Sequence, residues 1–374
     1  MRTERADAGP RFAAIIVSFN GGRMLSESVR SCLREGIPPA QIVVVDNGSS
    51  DGSIEELGNE IAGLTLVRSA CNAGFARAVN QGIRQTDAEF ILLLNNDAQL
   101  GEGALSAFAE GFDTRPKLAI AGARLHHPDG RLQSSFAPLP SVAEELLPPP
   151  LLRLFAPDRF QRKTAQAEPM AVESVFGACL SVRAGILPHL GLLDEDFFFF
   201  YEEVEWCQRA HRMGFEVLFL PAATVVHGWG VTANRFRGPA RVEHHRSKLT
   251  FFRKTRSRAS YWAVSSFVVV RTLVDALAGA VSCVATLFLN GRLRKKAATY
   301  WYLLLWHICL RPAHWGLPDK CPRGQELSGV PTHLAEDRAM DGARGVLRDV
   351  LPEGEKARGV PRDVLPEGEK ARDR

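Results

Sequence analysis

The sequence predicts an α/β fold built on a doubly wound parallel sheet, and three observations carry the prediction. Continuous apolar runs recur at Phe12 to Val17, Ile42 to Val45 and Phe90 to Leu94, the pattern of strands buried on both faces. Apolar residues at helical spacing separate these runs. Each run ends abruptly in Ser, Asn, Asp or Gly, and in open α/β sheets ligands bind just beyond the carboxyl ends of the strands.

The elements follow one another in that alternation. After the first strand, Leu25, Val29, Cys32 and Leu33 mark one face of a helix that leads to Ile42 to Val45. Leu64 to Val67 reads as a third strand, and Phe75, Val79 and Ile83 as a helix stepping by four. Phe90 to Leu94 and Leu118 to Ala121 are further strands. From Pro138 to Pro169 the pattern breaks, and Pro138, Pro140 and the run Pro148 to Pro150 indicate an extended, mobile connection. Order returns at Val172 to Val182, at a helix beginning near Glu202, and at the strand Val217 to Leu220.

The carboxyl-terminal third differs in character. Arg235, Arg237, Arg241, Arg246, Lys248, Arg253, Lys254, Arg256 and Arg258 form a basic cluster opposed by few acids. An apolar stretch, Tyr261 to Leu289, follows and is interrupted by Arg271 and Asp275. Beyond Arg292, Arg294, Lys295 and Lys296 comes Ala297 to Leu310, with Tyr300, Trp301, Tyr302 and Trp306. Charges at Arg271 and Asp275 disfavour a bilayer span. The favoured expectation is therefore amphipathic helices at a membrane interface with basic flanks on anionic lipid. A short hairpin into the bilayer and a soluble helical cap are the alternatives. The tail repeats a 14-residue charged unit beginning at Arg344 and again at Arg358, and two such copies predict disorder. The chain thus divides into a flexible amino terminus (1–11), an α/β domain (12–255, with an irregular insertion at 138–170), a membrane-associating region (256–315) and a disordered tail (316–374).

Composition excludes some classes. The 374 residues are 45% hydrophobic and 24% charged, an ordinary globular balance, and a formal net charge of +4 is too mild for nucleic-acid binding. Seven cysteines without a Cys-x-x-Cys pair fit reduced thiols in a cytoplasmic protein. Met1 to Arg11 lacks an apolar signal core, so secretion is not expected.

The strand ends carry the chemistry. The first reads Ser18-Phe19-Asn20-Gly21-Gly22, and the second Asp46-Asn47-Gly48-Ser49-Ser50-Asp51-Gly52-Ser53. Asp46 is placed to accept from a nucleobase imide or a ribose hydroxyl. Ser49, Ser50 and Asp51 equally suit a helix cap. The third turn, Asn72-Ala73-Gly74-Phe75 with Asn80 beyond it, puts small residues before a helix whose backbone amides could face a phosphate. It is neither a Gly-x-Gly-x-x-Gly nor a Walker loop. The fourth, Asn95-Asn96-Asp97, offers a carboxylate to a hard divalent cation that takes its other ligands from water and phosphates.

These motifs, in this order, resemble family 2 glycosyltransferases and within them the rhamnosyltransferase-like branch. Ile16 to Asn20, Val44 to Ser53, Asn72 to Ala76 and Leu93 to Asp97 carry the resemblance. It continues in Gly177-Ala178-Cys179-Leu180, Leu193 to Phe198 and Tyr201 to Arg209, covering residues 12 to 255. The resemblance implies a Rossmann-like nucleotide-sugar-binding sheet of the GT-A type. It also implies a nucleotide-diphosphate-sugar donor, a divalent metal (Mg or Mn), and inversion during transfer to a lipid-linked or polysaccharide acceptor. Donor-side residues would be Ser18, Asn20, Asp46, Asn47, Asp51, Asn72, Gly74, Phe75, Asn80, Asn95 and Asn96. Asp97 would meet the metal and diphosphate, with His227 a further metal contact. The family's Glu-Asp pair is Glu202-Glu203 here, so Glu203 becomes the expected base beside Glu202, kept ionised by its position at a helix amino terminus. Asp194 and Glu195 would face the acceptor. The implied setting is the cytoplasmic face of the cell membrane. A sugar-nucleotide pyrophosphorylase and a non-catalytic sugar-nucleotide-binding protein are the rival readings. The first would need a Gly-rich basic loop after the first strand, for which Ser18 to Arg23 is a poor substitute.

Overall fold

The computed structural model describes residues 11–155, 166–228 and 237–321. The expectations for residues 1–10, for Arg235 and for the tandem repeat lie outside the described residues.

Parallel strands β1 (Phe12–Ser18), β2 (Ile42–Asp46), β3 (Thr65–Arg68) and β4 (Phe90–Asn95) form one half of a curled sheet. The other half holds β5 (Ala98–Leu100), β6 (Leu118–His126), β10 (Cys179–Arg183) and β11 (Glu216–His227), in the overall order β3-β2-β1-β4-β10-β6-β11-β5. The short strand β8 (Met170–Ala171) pairs with β11, while β7 (Phe136–Ala137) and β9 (Ser174–Val175) pair separately. The sheet is mixed rather than purely parallel. Strand β10 runs antiparallel to both β4 and β6, a direction that an isolated apolar run of five residues does not encode.

Side-chain alternation winds the sheet on both faces. Ala14 and Ile16 of β1 join Leu25 and Val29 of α1 (Gly22–Arg34) and Phe108 of α4 (Ala104–Thr114) on one face. Ile15 joins Val79 of α3 (Phe75–Ile83) and Trp206 of α8 (Glu202–Arg212) on the other. Between these, α2 (Ser53–Glu60) covers the sheet edge and α7 (Leu187–Leu190) is a single short turn.

The proline-rich insertion is not simply extended. It holds α5 (Val142–Leu146) and α6 (Pro149–Phe155). Ser141 starts α5 with a reciprocal capping box: its hydroxyl accepts from the Glu144 N–H at 3.3 Å while the Glu144 carboxylate accepts from the Ser141 N–H at 3.0 Å. That Ser-x-x-Glu signal outweighs the prolines, which lie outside the helix.

Three long helices follow: α9 (Arg237–Thr255), α10 (Arg258–Ala285) and α11 (Gly291–Ile308). Helices α10 and α11 form an antiparallel hairpin, with Gly279 against Ala297. The 28-residue α10 has an 18-residue window of mean hydropathy 1.9, of which 22% is buried. Arg271 and Asp275 pair with each other on its exposed side at 4.0 Å. After the hairpin a strap, residues 312–321, returns to the third βα turn. Asn72 donates its N–H to Asp319 O, Cys321 donates its own to Asn72 O, and Cys71 is disulfide-bonded to Cys321. This corrects two expectations. Cys71 and Cys321 are not free thiols, and residues 316–321 are held by the domain rather than belonging to a loose tail. A separation of 250 residues leaves no local motif from which the pairing could be read.

Gly74 is where these parts meet. Its φ of +89° is a conformation other residues resist, and a Cβ there would lie 2.7 Å from the Phe198 carbonyl oxygen. The adjacent Phe75 N–H donates to that same oxygen at 2.7 Å. Gly74→Ala is therefore expected to destabilise the domain by about 1–3 kcal/mol. Thermal unfolding of the variant checks this, and an unchanged midpoint would contradict the close approach.

Candidate active site

The strand register brings the polar ends to one edge. Ser18 is opposite Asp46, Val17 opposite Asn95, and Asp46 opposite Arg68. Beyond that edge lies a cavity of about 690 Å³, whose lining includes Asn47, Asn72, Gly74, Phe75, Asn95, Asn96 and Asp97 from the turns of β2, β3 and β4. Phe198 to Val204, His227, His244 and Leu317 line it from later elements.

Asp97 and His227 meet because the short return strand β5 pairs with the end of β11, Ala98 opposite His227. Asp97 Oδ1 is 3.3 Å from His227 Nε2, and each side chain is 9% exposed. Behind the histidine is buried Gln133, which the sequence did not single out. Its Nε2 donates to the carbonyls of His126 (3.1 Å) and His227 (2.7 Å), leaving Oε1 as the acceptor 3.0 Å from His227 Nδ1. The hydrogen-bond network therefore assigns the proton to Nδ1. Nε2 is thereby left facing the Asp97 carboxylate, where a shared cation would be held between the two side chains. Among the described residues no group of three or more His, Cys, Asp and Glu is arranged for a metal. A pair of ligands nevertheless fits a hard divalent cation that completes its shell with water and phosphate oxygens.

The turn before α8 positions the acidic pair. Phe200 and Tyr201 both adopt φ of +72°, at about 1–3 kcal/mol each. The turn is held on two sides: Phe198 O accepts from α3, and Phe199 O accepts the Ser247 hydroxyl of α9 at 2.8 Å. Glu202 and Glu203 consequently begin α8 inside the cavity. The Oε2 atom of each is shielded from solvent and has no hydrogen-bond partner among the described residues. Burial raises the pKa of Glu202 well above the usual carboxylate range, and repulsion from Glu203 adds to this. Burial also raises Glu203, opposed by N–H groups of its own residue, Gly177 and Val204. Desolvation thus outweighs the helix dipole in setting the direction of both shifts, against the expectation that the dipole would favour the charged form. Of the two, Glu203 has the backbone donors and gives up its proton first.

Other expected site residues have structural partners. Asp46 accepts from the Ser49 N–H at 2.8 Å, and Asn20 Oδ1 from the Ser50 N–H at 2.8 Å. Asp51 binds the Gly22 N–H and both the N–H and hydroxyl of Ser53. Burial pushes its carboxyl up, but those hydrogen bonds prevail and hold it below the usual value. Ser18 Oγ is buried without a partner among the described residues, close behind Asn96 Nδ2 and Gly21. The third turn does not offer free amides to a phosphate. Ala73 N–H donates to Asn47 Oδ1, Gly74 N–H to Asn72 Oδ1, and Phe75 N–H to Phe198 O. Asn80 lies outside the cavity, fastened to Leu193 and Glu195. Neither Asp194 nor Glu195 lines the cavity: Asp194 pairs with Lys254 at 2.5 Å and Glu195 with Arg77 at 3.0 Å.

The sequence also missed His244. Its ring stands edge-on to Phe200 and Tyr201 at the cavity wall, and its Nδ1 is buried without a partner among the described residues. Burial, aided by Lys248 and Arg241, lowers its pKa to about 3, so it presents a neutral imidazole.

The chain is similar to several known proteins. Residues 13–187 match the family model for Glycosyl transferase family 2. The N-acetylglucosaminyl-diphospho-decaprenol L-rhamnosyltransferase of Mycobacterium tuberculosis is 24% identical over 252 residues, spanning 63% of this chain and 82% of that relative. Among solved structures, a mannosyltransferase from Pyrobaculum calidifontis in complex with GDP-Man and Mn²⁺ is 16% identical with a TM-score of 0.48, over 81% of this chain and 89% of that one. GalNAc-T7 with UDP, GalNAc and Mn²⁺ is 18% identical with a TM-score of 0.45, over 59% of this chain and 45% of that one.

The buried acidic pair has a consequence for stability. A raised folded-state pKa contributes stability that is present below the unfolded value and lost as pH rises through the folded value. Glu202→Gln removes the charge that must otherwise be buried. Its melting temperature is expected to exceed the parent's by about 2–4 °C in alkaline buffer, with the gap closing near pH 4. Melting curves across that range check the sign, and a gap that widens on acidification would overturn it.

Proposed function

The chain is a family 2 glycosyltransferase, and we propose that it transfers a sugar such as rhamnose, with inversion, from a nucleotide-diphosphate donor to a lipid-linked or polysaccharide acceptor. The observation that supports this most is the single cavity that receives Asp97, His227 and Glu203 together. In this reading the donor lies across the carboxyl edge of the sheet, its diphosphate toward Asp97 and His227 and near the amides of Asn95 and Asn96. A bound divalent cation, Mg²⁺ or Mn²⁺, would offset the charge developing on the leaving diphosphate. Glu203 takes the proton from the acceptor hydroxyl as that oxygen attacks the anomeric carbon. Attack opposite the departing diphosphate in one displacement inverts the centre. Phe198, Phe199 and Phe200 supply apolar wall that keeps water from competing for the sugar.

The acceptor class rests on the relative from Mycobacterium tuberculosis, whose name specifies a lipid diphosphate acceptor, and on the hairpin. Val270, Val274, Val281 and Val284 of α10 are 57%, 58%, 68% and 62% exposed, so one face lacks a protein partner among the described residues. That face suits the inner surface of the cell membrane, where a lipid-linked acceptor would be presented.

Glu203→Gln is expected to lower kcat by about 10²–10⁴-fold with the melting temperature retained. Activity of the parent should fall on acidification at a pH above the ordinary glutamate range, because its base is held up by burial. Nucleotide-diphosphate release against a panel of nucleotide sugars measures both, and full activity in the variant would remove Glu203 from this role. For the cation, Gln133→Leu frees the imidazole to change tautomer and should weaken Mn²⁺ binding by about 10–100-fold. Calorimetric Mn²⁺ titration reads this independently of turnover, and unaltered affinity would separate Gln133 from the metal.

A further inference from the structure

A second cavity, of about 130 Å³, lies at the base of the helical hairpin between α9, α10 and α11. Three guanidinium groups line it, those of Arg246, Arg253 and Arg311, together with Thr250, Tyr261 and Trp306. Arg246 and Arg253 stand one and two turns along the same face of α9, on either side of Thr250. Arg246 is committed to Glu243 (2.6 Å) and to the carbonyls of Pro312 and Trp315, and stacks over Trp306 at 5.7 Å. Glu243 is in turn shared with Lys320. Among the described residues Arg311 meets only neutral groups, His307 Nδ1 at 3.2 Å and the Ser265 hydroxyl at 2.7 Å. Arg253 is exposed and has no ion pair among the described residues. Elsewhere on α9, Lys248 is matched by Glu145 and Lys254 by Asp194 and Asp196. At this cavity Arg253 and Arg311 have no carboxylate partner among the described residues, whereas Arg246 has Glu243.

Arg253 and Arg311 thus add cations that no carboxylate offsets to that of Arg246, and a planar guanidinium fork matches phosphate oxygens in paired hydrogen bonds. Exposed apolar side chains on the same segments supply the second half of the recognition. Trp262, Ile308 and Leu310, within two residues in sequence of the lining residues Tyr261, Trp306 and Arg311, are 64%, 64% and 90% exposed. We propose that this cavity binds the phosphodiester headgroup of an anionic membrane lipid, with those apolar side chains against its acyl chains. No carboxylate lines the cavity to receive a headgroup ammonium, which favours a lipid such as phosphatidylglycerol over a zwitterionic one. The bound headgroup would fix the height and rotation of the catalytic domain on the bilayer, rather than merely attracting it.

The proposal rests on the membrane reading above, and the experiment separates the two. Full-length protein is sedimented with phosphatidylcholine vesicles and with vesicles containing phosphatidylglycerol. Arg253→Gln is compared with Lys295→Gln, which removes the same charge from exposed surface at the far end of the hairpin. Arg253→Gln should lose about tenfold more affinity for the anionic vesicles than Lys295→Gln, the worth of one charge-assisted contact. Equal losses in the two variants would overturn the site while leaving a membrane-bound enzyme. Val281→Asp should weaken binding to both vesicle types, and absence of parent binding to either would sink the membrane reading itself. Inorganic phosphate at millimolar concentration is the remaining arm. If it binds the parent as tightly as the lipid does, measured calorimetrically with loss in Arg253→Gln, the cavity is a free-anion site and the lipid assignment fails.

Discussion

The fixed register between β1 and its two parallel neighbours is the constraint on which the rest depends. Backbone hydrogen bonds set Ser18 against Asp46 and Val17 against Asn95. A slip of one residue would turn every buried side chain of β1 to the other face, exchanging Ile15 for Ile16 against two different helical layers. The core thereby locks the polar strand ends to a common edge. Loops beyond that edge hold one another, Asn20 to Ser49 and Ser50, Asn47 to Ala73 and Asn72. Much of the polar cluster is consequently scaffold, and the residues left facing the cavity are fewer than the motifs suggest.

Two unfavourable features persist on that scaffold. Phe200 and Tyr201 hold left-handed backbone conformations, and directly after them two carboxyl groups are buried side by side. Such strain survives only where the surroundings over-determine it. Here α3 and α9 grip the turn through the Phe198 and Phe199 carbonyls. The gain is chemical: a carboxylate with a raised pKa is a stronger base than one in water. At the Asp97–His227 contact, Gln133 likewise fixes the imidazole that faces the carboxylate.

The hairpin and strap connect this site to the rest of the chain. Phe251, Phe252, Val264 and Val268 pack with Phe197, so the region that exposes apolar surface also buttresses the turn before α8. The strap brings Leu317 to the cavity and places the Lys320 ammonium 4.6 Å from the Phe198 ring.

The sequence by itself determined the layered α/β plan, because strands buried on both faces must be continuously apolar and amphipathic helices must repeat at their own period. It also determined the polar strand ends, Asp97 and the acidic pair at the start of α8, which are visible as short contiguous motifs. The capping box at Ser141 was equally legible but was overshadowed by the neighbouring prolines. Only the tertiary structure decided what joins residues far apart in the chain. It paired Asp97 with His227, placed Gln133 behind that histidine, linked Cys71 to Cys321, and turned Asn80, Asp194 and Glu195 to internal partners. It also raised the pKa of the glutamates where the helix terminus alone would lower it, since a helix dipole is a local property whereas desolvation is set by everything packed around the group. Local pattern carries periodicity and motif. Burial and long-range pairing exist only once the chain has closed on itself.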